Sequence, residues 1–370
     1  MLQEVQKERG HTQVRNRINR KRMETTLAPT LELMPETQLV PVHQQVTDLV
    51  ADGIEYAEVL DEEKYQKSFI TANSQPITME RLASDCIIPV FAKDNEVCIS
   101  HQSFISAVYD AVREFYSGET VDEPLIRVSH IIRGRIPEAI HKKTSELLPT
   151  DKTMYFERMA FCINIPSISQ DVNGNTLNLS VVGVKSYGKD NLNGKLTSQR
   201  FSLAVSFNNQ VCCNQCIFTD GYRDDIRAKR EREIYYSTLS LLNMYDTAKQ
   251  LYLLRDLGEL SINEQQFALL LGRMRLYSYL PPAMQRGIPQ LLITDSMVNN
   301  VAKQYYRDEN FRAENNGEIS LWKFYNLITG ATKSSYIDSF LSRSANATET
   351  VLGIASALRH EESGYDWFLG

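Results

Sequence analysis

The sequence predicts an α+β protein, with an antiparallel sheet and packed helices in its N-terminal half and a mostly α-helical C-terminal half. Three observations carry this expectation. β-prone runs dominate from Ile87 to Cys216. An Asn173-Gly174 pair between two of them supplies the positive φ angles of a tight hairpin turn. Beyond Gly221 the apolar residues recur at helical spacing instead.

Taken in order, the chain divides at 1–50, 85–221 and 222–370. Residues 1–50 have no apolar period and read as a basic, polar arm and linker. Cys86–Ala92 and Glu96–Ile99 flank the turn residues Lys93-Asp94-Asn95 and predict a hairpin. Ser100 caps a helix over 101–116, with Ile99 and Phe104 placed as a hydrophobic staple and Phe104, Val108, Val112 and Phe115 on one face. A strand is expected at 125–133 and a helix opening at Pro137. Met154–Ile165 and Thr176–Tyr187 should pair across the Asn-Gly turn. In Arg200–Asn208, alternation puts Phe201, Leu203, Val205 and Phe207 on one face.

The last part, 222–370, is expected to be helical and packed on the sheet. A long helix is predicted over 223–254, and a second starts with Ser261 and Glu264 at capping-box spacing and runs to Tyr279 before Pro281-Pro282. Further helices are expected at 290–307, 319–329, 335–343 and 347–359, with Gly330 as a C-terminal cap.

Composition narrows the function classes. Hydrophobic residues make up 42% of 370 and charged residues 23%, the balance of a globular chain. No apolar run reaches the roughly 18–20 residues a membrane span needs, so no membrane partner is expected. Six cysteines are too few for a disulfide scaffold at this length, and a reducing cytoplasm is the expected location. The net charge of −6 conceals an asymmetry: residues 1–22 carry +5, whereas the remainder carries −11. An acidic body disfavours a broad electrostatic grip on nucleic acid and leaves a basic arm or a small basic site as the means of contact.

The strongest anion-site candidate is Ser129-His130-Ile-Ile-Arg133-Gly134-Arg135-Ile-Pro137. Gly134 permits close backbone approach, and two arginines offer bidentate donors to phosphate. Amides at the start of the helix expected after Pro137 would add to the pull. If the segment stays extended, Arg133 and Arg135 share one face and His130 takes the other. Pairing with surface carboxylates is the competing role for both arginines.

Metal sites are weaker candidates. Cys213 and Cys216 form a Cys-x-x-Cys step beside Cys212, without a second pair to complete a zinc site. Glu157, Asp220, Asp224 and Asp225 could serve a divalent cation if they converged. Asp224 and Asp225 equally suit a helix first turn. Trp322, Tyr325 and Thr329 share a helical face, the usual mark of core packing. The chain has no Gly-x-Ser-x-Gly elbow, no His-Glu-x-x-His and no dinucleotide fingerprint, and no cofactor is expected.

Several fragments resemble a known family. They are Pro89–Glu96, Ser129–Ala139, Tyr155–Phe161, Val211–Gly221 and Ser320–Asp338, in order over roughly 85–370. They resemble the Bacteroides-type family "domain of unknown function 3871", itself distantly similar to phage/plasmid-like proteins of unknown function. The resemblance implies a mobile-element context and carries no catalytic residues. The favoured expectation is a non-enzymatic, nucleic-acid-associated accessory protein binding single-stranded DNA. The alternatives are a metal-dependent enzyme acting on nucleic acid or a nucleotide, and a protein-interaction or assembly module.

Overall fold

The computed structural model describes residues 68–72, 74–84, 98–189, 198–311, 317–361 and 363–370. All belong to one unit, Leu60–Gly370. The basic arm and the hairpin expected around Lys93-Asp94-Asn95 lie outside the described residues.

The chain enters as β1 (Gln75–Ile77), α1 (Met79–Ser84) and α2 (His101–Phe115). Ser100 caps α2 as expected, its side chain accepting from Ser103 N at 2.8 Å. Ile99, Phe104, Val108 and Val112 are buried in one core, but Phe115 lies outside it, 39% exposed at the last helical position. The predicted strand at 125–133 is two strands, β2 (Leu125–Val128) and β3 (Ile131–Arg135). The break falls at Ser129, whose N donates to Arg158 O and whose Oγ accepts from Arg158 N. No helix opens at Pro137; the chain makes a single 3-10 turn, Pro137–Ala139.

β4 (Lys152–Phe156) then returns against β3, and β5 (Arg158–Val172), β6 (Asn175–Ser186), β7 (Gln199–Asn209) and β8 (Gln215–Ala228) form a meander. The main sheet has the order β1-β2-β5-β6-β7-β8, and its pairings are antiparallel. The Asn173-Gly174 hairpin forms as the sequence predicts, with φ of +49° and +80° and Val172 opposite Asn175. β3 and β4 make a separate two-stranded ribbon, an excursion between β2 and β5.

The expected long helix at 223–254 is not there. β8 continues to Ala228, because Asp224 and Asp225 are held by Arg200 from β7, each at 3.1 Å, and not by a helix terminus. Helices α3 (Glu231–Met244) and α4 (Thr247–Asp256) follow, divided where Asp246 caps the second by accepting from Lys249 N. After the short strand β9 (Ser261–Asn263), α5 (Glu264–Tyr277) opens on a capping box of Asn263 with Gln266, two residues beyond the predicted Ser261–Glu264 pair. α6 (Asp295–Arg307), β10 (Glu318–Ser320), α7 (Leu321–Thr332) and α8 (Ile337–Leu358) complete the main elements. Gly330 lies inside α7 and does not cap it. The two helices expected at 335–343 and 347–359 are one, since no glycine or proline interrupts Arg343–Ala347.

Helices cover both faces of the sheet. Phe161, Leu179, Leu203, Val205 and Phe207 meet Phe104 and Val108 of α2 and Leu241 of α3 in the larger core. On the other face Ala160, Val182, Val184, Ala204 and Ile217 meet Phe340, Leu341 and Ala345 of α8. Both faces of β7 are therefore buried, and the polar members of its alternation bond to residues of other strands. Ser180 and Ser206 both donate to Gln215 Oε1, at 3.1 and 2.8 Å. Among the described residues no helix is long and apolar enough to cross a membrane.

Candidate functional site

The ribbon carries the predicted anion-site residues. His130 is exposed in the break before β3, and Arg133, Gly134 and Arg135 lie within the strand. The register sets Arg133 opposite Met154 and Arg135 opposite Lys152. Directly opposed residues in an antiparallel pair share a face. Arg133, Arg135 and Lys152 therefore form one exposed cationic face, and neither strand contains a carboxylate. Arg133 makes no ion pair among the described residues, whereas Arg135 donates to Lys142 O at 2.7 Å and to Thr144 Oγ1 at 3.4 Å.

Two expectations about this segment are corrected. Gly134 sits in a ladder, not a loop. It lies opposite Thr153, whose Oγ1 would be 2.8 Å from a Cβ at position 134, so the close approach is to the neighbouring strand. No helix terminus follows to supply amides, because the turn after Ile136 spans three residues. The connection between β3 and β4 is fixed instead by Asp151, which accepts from Lys142 Nζ at 2.8 Å and from Leu148 N at 2.8 Å. These bonds hold its carboxyl below the usual range.

The metal alternatives do not assemble. Among the described residues no group of three or more His, Cys, Asp or Glu could hold an ion. Glu157 lies 3.6 Å from Arg158, and Asp220 takes a bond from Gln250 with Lys249 at 3.6 Å. Cys212, Cys213 and Cys216 lie in and after the β7–β8 turn outside any disulfide, and Cys213 takes a φ of +54°. Burial pushes the Cys216 and Cys162 thiols up to about 12.

A feature that sequence reasoning missed lies beside the ribbon. A cavity of about 100 Å³ is lined by Leu82 and Ala83 of α1, Ser100, His101 and Gln102 at the start of α2, Tyr155 of β4, and Tyr187. His101 is buried at 3% exposure and packs on Tyr187, ring centroids 4.4 Å apart. Its Nε2 lies 2.8 Å from Phe156 O, and a carbonyl can only accept. Nε2 therefore carries the proton, and the Nδ1 lone pair is buried without a partner among the described residues. Burial first, and repulsion from Lys185 with it, pull the imidazole down to about 3 despite the Phe156 bond, so the ring is neutral. Lys185 itself is buried at 1% exposure, donating to Gln199 Oε1 at 3.1 Å and lying 4.1 Å above the Phe201 ring. A larger open groove, about 630 Å³, runs along the end of α2 and is lined by Asp110, Glu114, Glu119 and Glu123 with Arg113 and two tyrosines. Its acidity suits it poorly to phosphate.

The pattern described as "Domain of unknown function, B. Theta Gene description (DUF3871)" matches residues 54–369. The chain belongs to this family. No curated protein and no solved structure matches it. The match begins ahead of the fragments that carried the resemblance, and within this domain of unknown function two of those fragments meet. Val211–Gly221 contains Asn214, which donates to Asn326 O of α7 at 2.9 Å, and Cys212, whose carbonyl accepts from Lys333 Nζ. Another fragment, Ser129–Ala139, contains β3 of the ribbon.

Proposed function

We propose that this member of the family is a nucleic-acid-associated accessory protein of a mobile element that contacts single-stranded DNA through the β3–β4 ribbon. The observation that carries the reading is the cationic face of Arg133, Arg135 and Lys152 on two strands free of carboxylates. An acidic body requires such contact to be local, and the two strands of the ribbon carry no carboxylate to repel phosphate. Arginine supports the reading further, because its fork matches phosphate oxygens and its plane stacks on bases. The mobile-element context is part of this proposal and comes from the family's distant resemblance to phage/plasmid-like proteins in the sequence reading.

The test is fluorescence anisotropy with a short single-stranded oligonucleotide across a salt series, comparing the full chain with Arg133→Ala and Lys152→Ala. Both side chains are exposed, so melting temperatures should stay nearly unchanged. Each lost phosphate contact should lower the slope of log affinity against log salt by roughly 0.7. Using the full chain throughout keeps any contribution from residues 1–22 constant in the comparison. A wild-type chain that binds no oligonucleotide at low salt, where attraction is least screened, overturns the reading.

A further inference from the structure

The ribbon ends on two like charges. Arg135 lies directly opposite Lys152 in the last pair of the β3–β4 ladder, and both are exposed. Directly opposed residues have Cα atoms about 4.5–5.5 Å apart, and like charges so placed repel. Neither strand offers a carboxylate to offset this. In the connection between them, Asp151 accepts from Lys142 and Leu148, Glu146 accepts from Lys143 N at 3.3 Å, and Glu138 is exposed in the 3-10 turn. The two terminal nitrogens of Arg135 donate to Lys142 O and Thr144 Oγ1, which holds the fork in place while a guanidinium keeps further N–H donors for a ligand. The same bonds bring residues 142–144 against the end of the cationic face. A nucleic-acid strand running along β3 from Arg133 therefore meets the connection at Arg135. Residues 133 and 135 are about 7 Å apart along the strand, the length of one step between neighbouring phosphates of an extended nucleic-acid backbone.

Two cations at a closed end suit a doubly charged group. An internal phosphodiester carries a single negative charge, whereas a terminal phosphomonoester carries about 1.5–2 at neutral pH. We propose that Arg135 and Lys152 form a subsite for the terminal phosphate of a single strand, with Arg133 holding the neighbouring phosphodiester. The proposal rests on the ribbon reading for the strand itself and adds recognition of its end. Bound there, the phosphate accepts from the Arg135 fork and the Lys152 ammonium and relieves the repulsion between them. Arg133 lies opposite Met154, without a second cation, which matches the smaller charge of a diester. Either the 5′ or the 3′ end of a strand can present a phosphomonoester. A cleavage reaction that leaves a phosphorylated end is the class of reaction that would supply this ligand.

The experiment measures fluorescence anisotropy of the full chain with one short, internally labelled oligodeoxythymidine in three forms: phosphorylated at the 5′ end, phosphorylated at the 3′ end, and unphosphorylated. One phosphorylated form should bind about tenfold more tightly than the unphosphorylated one, and the end that gains identifies the source. Lys152→Ala should abolish this gain. Arg133→Ala should weaken all three forms alike and keep it. The melting temperature of Lys152→Ala should stay level or rise slightly, because the variant removes the like charge opposite Arg135. Wild-type binding of equal strength for all three forms overturns the end subsite and leaves the ribbon reading standing. So does an equal gain at both ends, which is the response to added charge alone, or a gain that survives Lys152→Ala. Binding of one phosphorylated form alone sustains the end subsite and overturns the ribbon as a grip along the strand. If no form binds at low salt, both fall.

Discussion

Acid should destabilise this fold through His101 before its carboxylates titrate. In the unfolded chain the imidazole has its ordinary pKa of about 6.5. In the fold it is pulled down to about 3, by burial and by Lys185, and its Nε2 proton is committed to Phe156 O. Above pH 6.5 neither state binds the extra proton, and the fold keeps its full stability. Between roughly 6.5 and 3 the unfolded state takes up a proton that the folded state refuses, so stability falls as pH falls, by about 1.4 kcal/mol per pH unit. From pH 7.5 to 5.0 the loss is about 2 kcal/mol, and it approaches 4–5 kcal/mol near pH 3. The assay is urea denaturation at both pH values for the wild type and for His101→Gln, whose amide retains a donor for Phe156 O but cannot titrate. The wild type should lose about 2 kcal/mol more than the variant over this interval. Parallel losses would refute the reasoning, as would a histidine signal from His101 that titrates in the native state near 6.5.

Three further outcomes follow from the geometry. Gly174→Val should cost about 1–2 kcal/mol, because φ at this turn position is +80° and a β-branched residue is strained there; an unchanged melting temperature would refute it. Gly183→Ala should cost about 1–3 kcal/mol by urea denaturation, since a Cβ would lie 2.3 Å from two ring carbons of Phe161 in the closed core; combining it with Phe161→Leu should return part of the loss. Native-state alkylation at pH 8, read by mass spectrometry, should spare Cys162 and Cys216. With thiols at about 12 and no exposed surface, only about one in ten thousand is a thiolate, and modification there before unfolding would contradict the burial.

The α+β class, the Ser100 cap and the Asn-Gly hairpin were legible because each is specified within a few residues. Ser100 needs only the amide of Ser103, and the hairpin needs only two consecutive positive φ angles. Where sequence reading failed, the deciding partner was distant along the chain. Tyr222–Ala228 has the mixed charge of a helix opening, but Arg200 of β7 claims both Asp224 and Asp225 and keeps the segment in the ladder. The single helix α8 was read as two because its small polar residues resemble a break. Ser344 and Thr348 are in fact buried, Thr348 bonding Tyr325 across to α7. No local pattern announces that pairing.

The candidate site divides along the same line. The arginine face of the ribbon follows from strand parity, which puts residues 133 and 135 together once the segment is extended. Lys152 joins them only through the register, which the sequence does not reveal. The cavity draws on positions 82, 101, 155 and 187, and no spacing rule connects those numbers. One signal was present. His101 stands three residues before Phe104 on the stripe that continues through Val108 and Val112, so a titratable ring occupies the buried face of an amphipathic helix. A histidine in that position is usually satisfied at both nitrogens. Here the one strong acceptor nearby, Phe156 O, engages Nε2 and fixes the tautomer, which commits Nδ1 to accepting from a donor that the described side chains do not provide. The unmet acceptor follows from the fold's choice of which carbonyl His101 meets, and that choice is made by where β4 ends.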